Sequence, residues 1–134
     1  MPFVLDNSVV TGWYIQEQAT DYTAAVAHRL ETDKALVPAL WQLELANVLR
    51  TACTRGKLSS EAARQVIDTL SALPIEVDQG PFPGPRQLLE LALRHNLSSY
   101  DAAYLELAMR HGLPMACQDG KLRDAATAVG VVLV

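Results

Sequence analysis

No stretch of the chain approaches the ~18 to 20 consecutive apolar residues of a membrane span, and the opening MPFVLDNSVV meets an acid without any preceding basic region, unlike a secretory signal. Cysteine and histidine are scarce: two Cys, Cys53 and Cys117, and three His. Neither a disulfide framework nor a zinc site is expected from so few, widely spaced ligands. The expectation is a protein of a reducing compartment, cytoplasmic and without a membrane segment. An excess of positive charge is also missing. The net charge is −4 and the pI about 5.2, which argues against a protein that grips nucleic acid by its own charge alone. It does not exclude an enzyme that reaches phosphates through a metal, because such a site needs acids. What is present is a chain of 134 residues, half of them hydrophobic. That suits one globular domain, 1–134, with a substantial core.

Short apolar segments alternate with helical periodicity. PFVL, ALVP, PIEVD, PMACQ and VVLV read as buried strands. Between them SVVTGWYIQEQ, capped by Asn7 or Ser8, TDYTAAVAHRLETD, ALWQLELANVLRTACTRG, SSEAARQVIDTLSAL, RQLLELALRHN, residues 99–111 and KLRDAATAVG read as helices. Gly56 and Gly112 mark helix ends. No Asn-Gly hairpin turn joins the strands. The pattern predicts an α/β fold, a short parallel sheet of about five strands with helices on both faces, in three α/β/α layers. Ligands in such sheets bind at the carboxyl ends of the strands.

The acids sort against that frame. Glu90 with Arg94, Arg64 with Asp68, and Asp124 with Lys121 are spaced as surface pairs. Glu76 and Asp78 flank a strand exit, and Glu106 is expected in solvent. Four acids resist such explanations. Asp6 and Asp119 each end a strand. Glu44 lies on a helical face with Leu40, Trp41 and Val48, with Asn47 as its only polar neighbour at helical spacing. Asp101 lies on an apolar face with Leu97, Tyr104, Leu105 and Ala108. Asp101 also has a local explanation: Ser98 three residues earlier makes a capping box with it, and an acid in a first turn suits the helix dipole.

Two unit charges ~4 Å apart repel by about 4 kcal/mol at an effective dielectric near 20. Four clustered carboxylates therefore hold extra protons or bind cations. Hard oxygen donors select Mg²⁺ or Mn²⁺, and such ions serve phosphodiester hydrolysis by activating water and steadying the leaving oxygen.

The stretches FVLDNSVV, VPALWQLELANVL, LSSYDAAYLELAMRHGLPM and ACQDGKLRDAATAVGV, in this order over nearly the whole chain, resemble the PIN-domain ribonucleases, in particular the VapC-type toxins of toxin–antitoxin pairs. The resemblance implies a PIN-like α/β/α fold, endonucleolytic cleavage of RNA, a small antitoxin partner and homodimers. It assigns Asp6, Glu44, Asp101 and Asp119 to Mg²⁺ or Mn²⁺ coordination, with Asp6 and Asp101 foremost. Ser8 and Asn47 are supporting or substrate-contacting candidates. The chain departs from the family in carrying Cys117 where Thr or Ser usually stands two residues before the last acid.

Other readings compete. Haloacid-dehalogenase-like phosphatases also place an aspartate after the first strand, but need a second two residues on, where this chain has Ser8. A PIN-like module that binds protein or RNA without cutting is the other alternative. Tyr100 is a candidate for stacking on a base. Arg50, Arg55, Lys57, Arg86, Lys121 and Arg123 are candidates for guiding RNA. Trp13, Tyr14 and Ile15 form an aromatic patch suited to the core or to an interface.

Overall fold

Three consecutive apolar residues, Phe3–Leu5, form strand β1 and are wholly buried. A run without alternation is what a strand covered on both faces requires. The computed structural model describes all of residues 1–134. After β1 come α1 (Asn7–Thr11), α2 (Asp21–Arg29), β2 (Ala35–Val37), α3 (Leu40–Thr54) and α4 (Ser60–Ser71). Then follow β3 (Ile75–Val77), α5 (Pro85–His95), α6 (Ser99–His111), β4 (Met115–Ala116) and α7 (Gly120–Ala128).

All strand pairs are parallel, in the order β3-β2-β1-β4. Val4 pairs with Leu36 on one side and Met115 on the other. The fifth expected strand is reduced to one parallel bridge, Met115 to Leu133, so the sheet proper has four strands. Val134 N–H still donates to the Met115 carbonyl at 2.9 Å, which keeps that segment on the β4 edge.

The order places the site. The chain steps outward from β1 to β2 to β3, then returns across the sheet to β4 on the far side of β1. Right-handed crossovers put α1–α4 on one face and α5–α7 on the other. Within the first group α1 touches α2 and α3, and α3 touches α4; within the second α6 touches α5, α7 and β1. The direction of winding reverses between β1 and β4, and a crevice opens there at the carboxyl ends of the strands. Asp6 follows β1, and Asp119 lies just beyond β4.

Some local expectations change. The helix expected over SVVTGWYIQEQ stops at Thr11, and only a short 3-10 turn forms at Gln16–Gln18. At Gly12 a Cβ would come within 2.5 Å of the Thr23 methyl. The Trp13 indole donates to the Thr23 carbonyl at 2.7 Å. This close contact with α2 turns the chain, overriding helical periodicity. Trp13 and Tyr14 pack against the core, and Ile15 is buried. The α1 cap is Asp6, rather than Asn7 or Ser8. The α2 helix ends at Arg29, short of Asp33, which instead closes ion pairs with Arg29 and the N-terminal ammonium. The spaced pairs Glu90–Arg94, Arg64–Asp68 and Lys121–Asp124 are absent from the ion pairs the fold closes.

Glu106 is also corrected: it is buried, not solvated. Helix α6 is covered by β1, α5 and α7 together, so residues 102–108 are buried all round. Arg110 answers Glu106 at 2.6 Å and reaches Asp78, also buried, at 2.8 Å.

Candidate metal and phosphodiester site

Asp6 is 4% exposed, at the end of β1. Its Oδ2 accepts from the Ser8 hydroxyl at 2.5 Å and the Ser8 backbone N–H at 3.2 Å. The Ser8 oxygen in turn accepts the Gln118 backbone N–H at 3.0 Å, which commits the one hydroxyl proton to Asp6. Ser8 thereby ties the first turn of α1 to the loop after β4. The Gln118 side chain reinforces that tie, donating to the Ser8 carbonyl at 3.1 Å and accepting from Thr20 at 2.9 Å.

Glu44 projects from α3 half-buried, and its Oε1 accepts from the Tyr104 hydroxyl at 2.6 Å. Tyr104 lies on α6, wholly buried. Sequence reasoning places Tyr104 on the face of Asp101 but misses this role; the three-residue spacing from Asp101 is the available signal, whereas its partner is 60 residues away.

Asp101 sits half-buried in the first turn of α6. Ser98 Oγ accepts the Asp101 backbone N–H at 3.1 Å. The reciprocal bond that would complete a capping box is not made, so the cap is Ser98 and the carboxylate is free of that duty. Asp119 is exposed at the N-terminus of α7, where its Oδ1 accepts from Leu122 N–H at 3.0 Å.

These four carboxylates act on one another. Burial pushes Asp6 up to about 6, against the lowering by Ser8, and the charges of Asp101 and Glu44 push it further. Burial likewise raises Glu44, opposed by the Tyr104 hydrogen bond and aided by Asp101. Asp101 is raised by burial and then by the charge of Asp119. The charged neighbours acting on these three are acids alone. No three acids are drawn together tightly enough to form a ready-made ligand cluster; the arrangement is an open basin of negative potential. Its oxygen donors and unbalanced charge fit a hard divalent cation.

Cys117 is wholly buried, and burial pushes its thiol up to about 12. It is a small core residue, not a nucleophile. Asn47 is exposed on α3, one turn beyond Glu44. Of the basic candidates, Lys57 is paired with Glu17 at 3.1 Å, and Arg123 donates to the Cys117 carbonyl at 2.8 Å, bracing the loop before Asp119.

A reversal of winding between β1 and β4, with acids at their carboxyl ends, places the candidate site of this α/β domain at the sheet switch point. The PIN domain model matches residues 3–128, and the chain belongs to that family. Among relatives, it is 36% identical to ribonuclease VapC1 of Mycobacterium tuberculosis over 90 residues, 66% of this chain and 65% of VapC1. It is 30% identical to ribonuclease VapC12 of the same organism over 103 residues, 76% of this chain and 77% of VapC12. The matched region thus spans less than two thirds of the length of VapC1, 65%. Among solved structures, PAE2754 from Pyrobaculum aerophilum superposes with a TM-score of 0.68 at 25% identity, covering 93% of this chain and 87% of that one. FitAcB from Neisseria gonorrhoeae shares the fold, with a TM-score of 0.64 at 19% identity over 99% of this chain and 96% of that one. No helix here is long and apolar enough to cross a membrane.

Proposed function

We propose that this chain is a metal-dependent endoribonuclease of the VapC type, one PIN-like unit over 1–134, and the toxin of a toxin–antitoxin pair. The observation that carries the reading is Asp6: a buried carboxylate at the switch point, raised to about 6 by burial and by two acids, with no cation to answer it. The names of the VapC1 and VapC12 relatives support ribonuclease activity.

Asp6, Glu44, Asp101 and Asp119 would hold Mg²⁺ or Mn²⁺. Bound there, the ion supplies water activation at neutral pH and charge stabilisation of the leaving oxygen. The chain's own groups prepare the site. Ser8 engages one oxygen of Asp6 and leaves Oδ1 free to face the basin. Tyr104 does the same for Glu44, leaving Oε2. Each bond fixes a carboxylate before the cation arrives, so less ordering is required on binding. Asp119 is the most accessible of the four and suits contact with the hydrated side of the site. The RNA phosphate is repelled by the empty basin and attracted to the filled one, which makes substrate binding depend on the cation.

The partners that go with this reading are an RNA substrate, a cognate small antitoxin and a second copy of the chain. The decisive experiment combines cleavage of RNA in Mg²⁺ or Mn²⁺ with calorimetric titration of Mn²⁺. Cleavage that stops with EDTA and returns with the metal is expected. Activity undiminished by exhaustive chelation refutes the metal mechanism. The open spacing of the acids also fits a non-catalytic PIN-like module; absence of both Mn²⁺ binding and cleavage would favour that alternative.

A further inference from the structure

A cavity of about 420 Å³ lies directly beside the carboxylate basin, lined by Leu43, Glu44, Asn47, Val48 and Tyr100. Four of these residues form one stripe of α3 at helical spacing, and the fifth comes from the first turn of α6. The cavity meets the basin at Glu44, which belongs to both. Its walls are otherwise unlike the basin. Leu43 is 74% exposed and Tyr100 58% exposed, large apolar surfaces left in water on both flanks of an acid. Single exposed apolar residues are ordinary; two that converge with an amide, Asn47, on one cavity of ligand size call for an occupant.

The crevice is also held in shape. The Tyr104 hydroxyl on α6 bonds Glu44 on α3 at 2.6 Å. Tyr100 stands one turn before Tyr104 on α6, and Leu43 immediately before Glu44 on α3. The hydrogen bond therefore pins the two walls together at the point where the cavity meets the acids.

We infer that this cavity is a base subsite: an unpaired nucleobase next to the scissile phosphate stacks on Tyr100 against Leu43, with the Asn47 amide facing its polar edge. This rests on the nuclease reading above and extends it to the strand that reading requires. A single strand threaded past Glu44 carries flat apolar bases alternating with phosphates. Phosphates suit the cation-filled basin, and bases suit an aromatic platform beside it. An acidic chain without a basic stripe gains much of its hold on RNA from such stacking, since the backbone offers it little. The subsite accepts single-stranded RNA and disfavours duplex, whose bases are not free to enter.

The test measures binding of a fluorescein-labelled, degenerate-sequence single-stranded RNA pool by anisotropy in Mn²⁺, in an Asp119→Asn background that slows cleavage. Tyr100→Ala is expected to weaken binding about 5- to 150-fold, the range for loss of one stacked base, and Tyr100→Phe to restore it. Thermal midpoint and Mn²⁺ affinity should be the same in all three, since Tyr100 is exposed and outside the ligand set. A strand of the same length lacking its bases should bind equally to the protein that keeps Tyr100 and to the Tyr100→Ala variant. Equal RNA binding by Tyr100→Ala overturns the subsite while leaving the nuclease reading intact. Unchanged RNA binding with lost antitoxin binding also overturns it, and makes the cavity a protein contact. Failure of the protein with both Asp119 and Tyr100 intact to bind or cleave RNA in Mn²⁺ refutes the underlying nuclease reading itself.

Discussion

Replacing Asp6 with Asn should make the metal-free protein more stable and abolish its cleavage activity. The side chains are nearly the same shape, and Asn is as good an N-cap as Asp, so α1 keeps its start. What changes is the charge. The Asp6 carboxyl is pushed from an ordinary 3.8 to about 6, first by burial, then by the charges of Asp101 and Glu44 over the opposing pull of Ser8. That displacement means the ionised form costs the folded state about 3 kcal/mol, at about 1.4 kcal/mol per pH unit. The folded state binds this proton more tightly than the unfolded one. Stability is therefore reduced above about pH 6, recovers as pH falls, and shows no penalty below 3.8, where both states are protonated. Asp6→Asn removes the penalty at pH 7.5. For a chain of 134 residues the gain corresponds to a midpoint about 6 to 12 °C higher, and the gain should vanish near pH 3.5.

The assay is thermal unfolding of both proteins in EDTA across pH 3.5 to 8, repeated with Mn²⁺. Glu44 and Asp101 are raised in the same direction, so the difference between the two proteins reports Asp6 together with its coupling to these two acids. With Mn²⁺ the order should narrow or reverse, because the cation stabilises the unsubstituted protein by mass action and the variant less. A metal-free Asp6→Asn that melts lower at pH 7.5 refutes the electrostatic argument: the charge would then be worth more to the Ser8 bonds and the α1 dipole than burial and crowding cost it.

Tyr104→Phe deletes the 2.6 Å bond to Glu44 while keeping the ring in the core; the expected cost is about 1 kcal/mol of stability and weaker Mn²⁺ binding by calorimetry, and unchanged Mn²⁺ affinity would show that Glu44 needs no anchor. Arg110→Met leaves Glu106 buried without its partner and Asp78 with only His111, at 3.4 Å, as an ion-pair partner, and should cost about 3 to 5 kcal/mol in urea unfolding. The pH dependence of that loss has the opposite sign to the Asp6 case: Arg110 holds Asp78 below the usual carboxylate range, so its contribution is present above ordinary aspartate values and fades in acid. Expression without an antitoxin should slow growth, and Asp6→Ala should relieve it; equal toxicity of the variant would count against nuclease action.

Periodicity and strand ends make the architecture legible in advance: unbroken apolar runs between amphipathic helices indicate buried parallel strands, and Gly112, in the left-handed conformation at φ 63°, closes α6 where expected. Periodicity assigns a residue to a face but does not name its partner. The Tyr104–Glu44 bond spans 60 residues and the Arg110–Asp78 pair 32, so local spacing names neither partner. Glu106 departs from expectation for a related reason. A flank opposite an apolar face is exposed only when one side of the helix is covered, and α6 is covered on several. The short α1 shows tertiary contact overriding pattern, since Trp13 and Gly12 serve the approach of α2.

The same carboxylate can serve a helix and a site, and the caps show how the two duties are divided. Asp6 and Asp119 each accept a backbone N–H at the start of a helix, through one oxygen, and each follows a strand flanking the switch point. In a parallel α/β sheet the carboxyl end of a strand and the N-terminus of the next helix meet, so an acid there is positioned by the cap it makes. The helix dipole favours the charge that crowding by other acids opposes. Asp101 differs: Ser98 satisfies the first turn of α6, so the helix does not require Asp101's charge. The α6 dipole and Ser98 favour a charge at Asp101, but neither requires it to be half-buried and facing another acid. The cation site proposed between β1 and β4 would account for that placement, so Asp101 bears on the reading alongside Asp6.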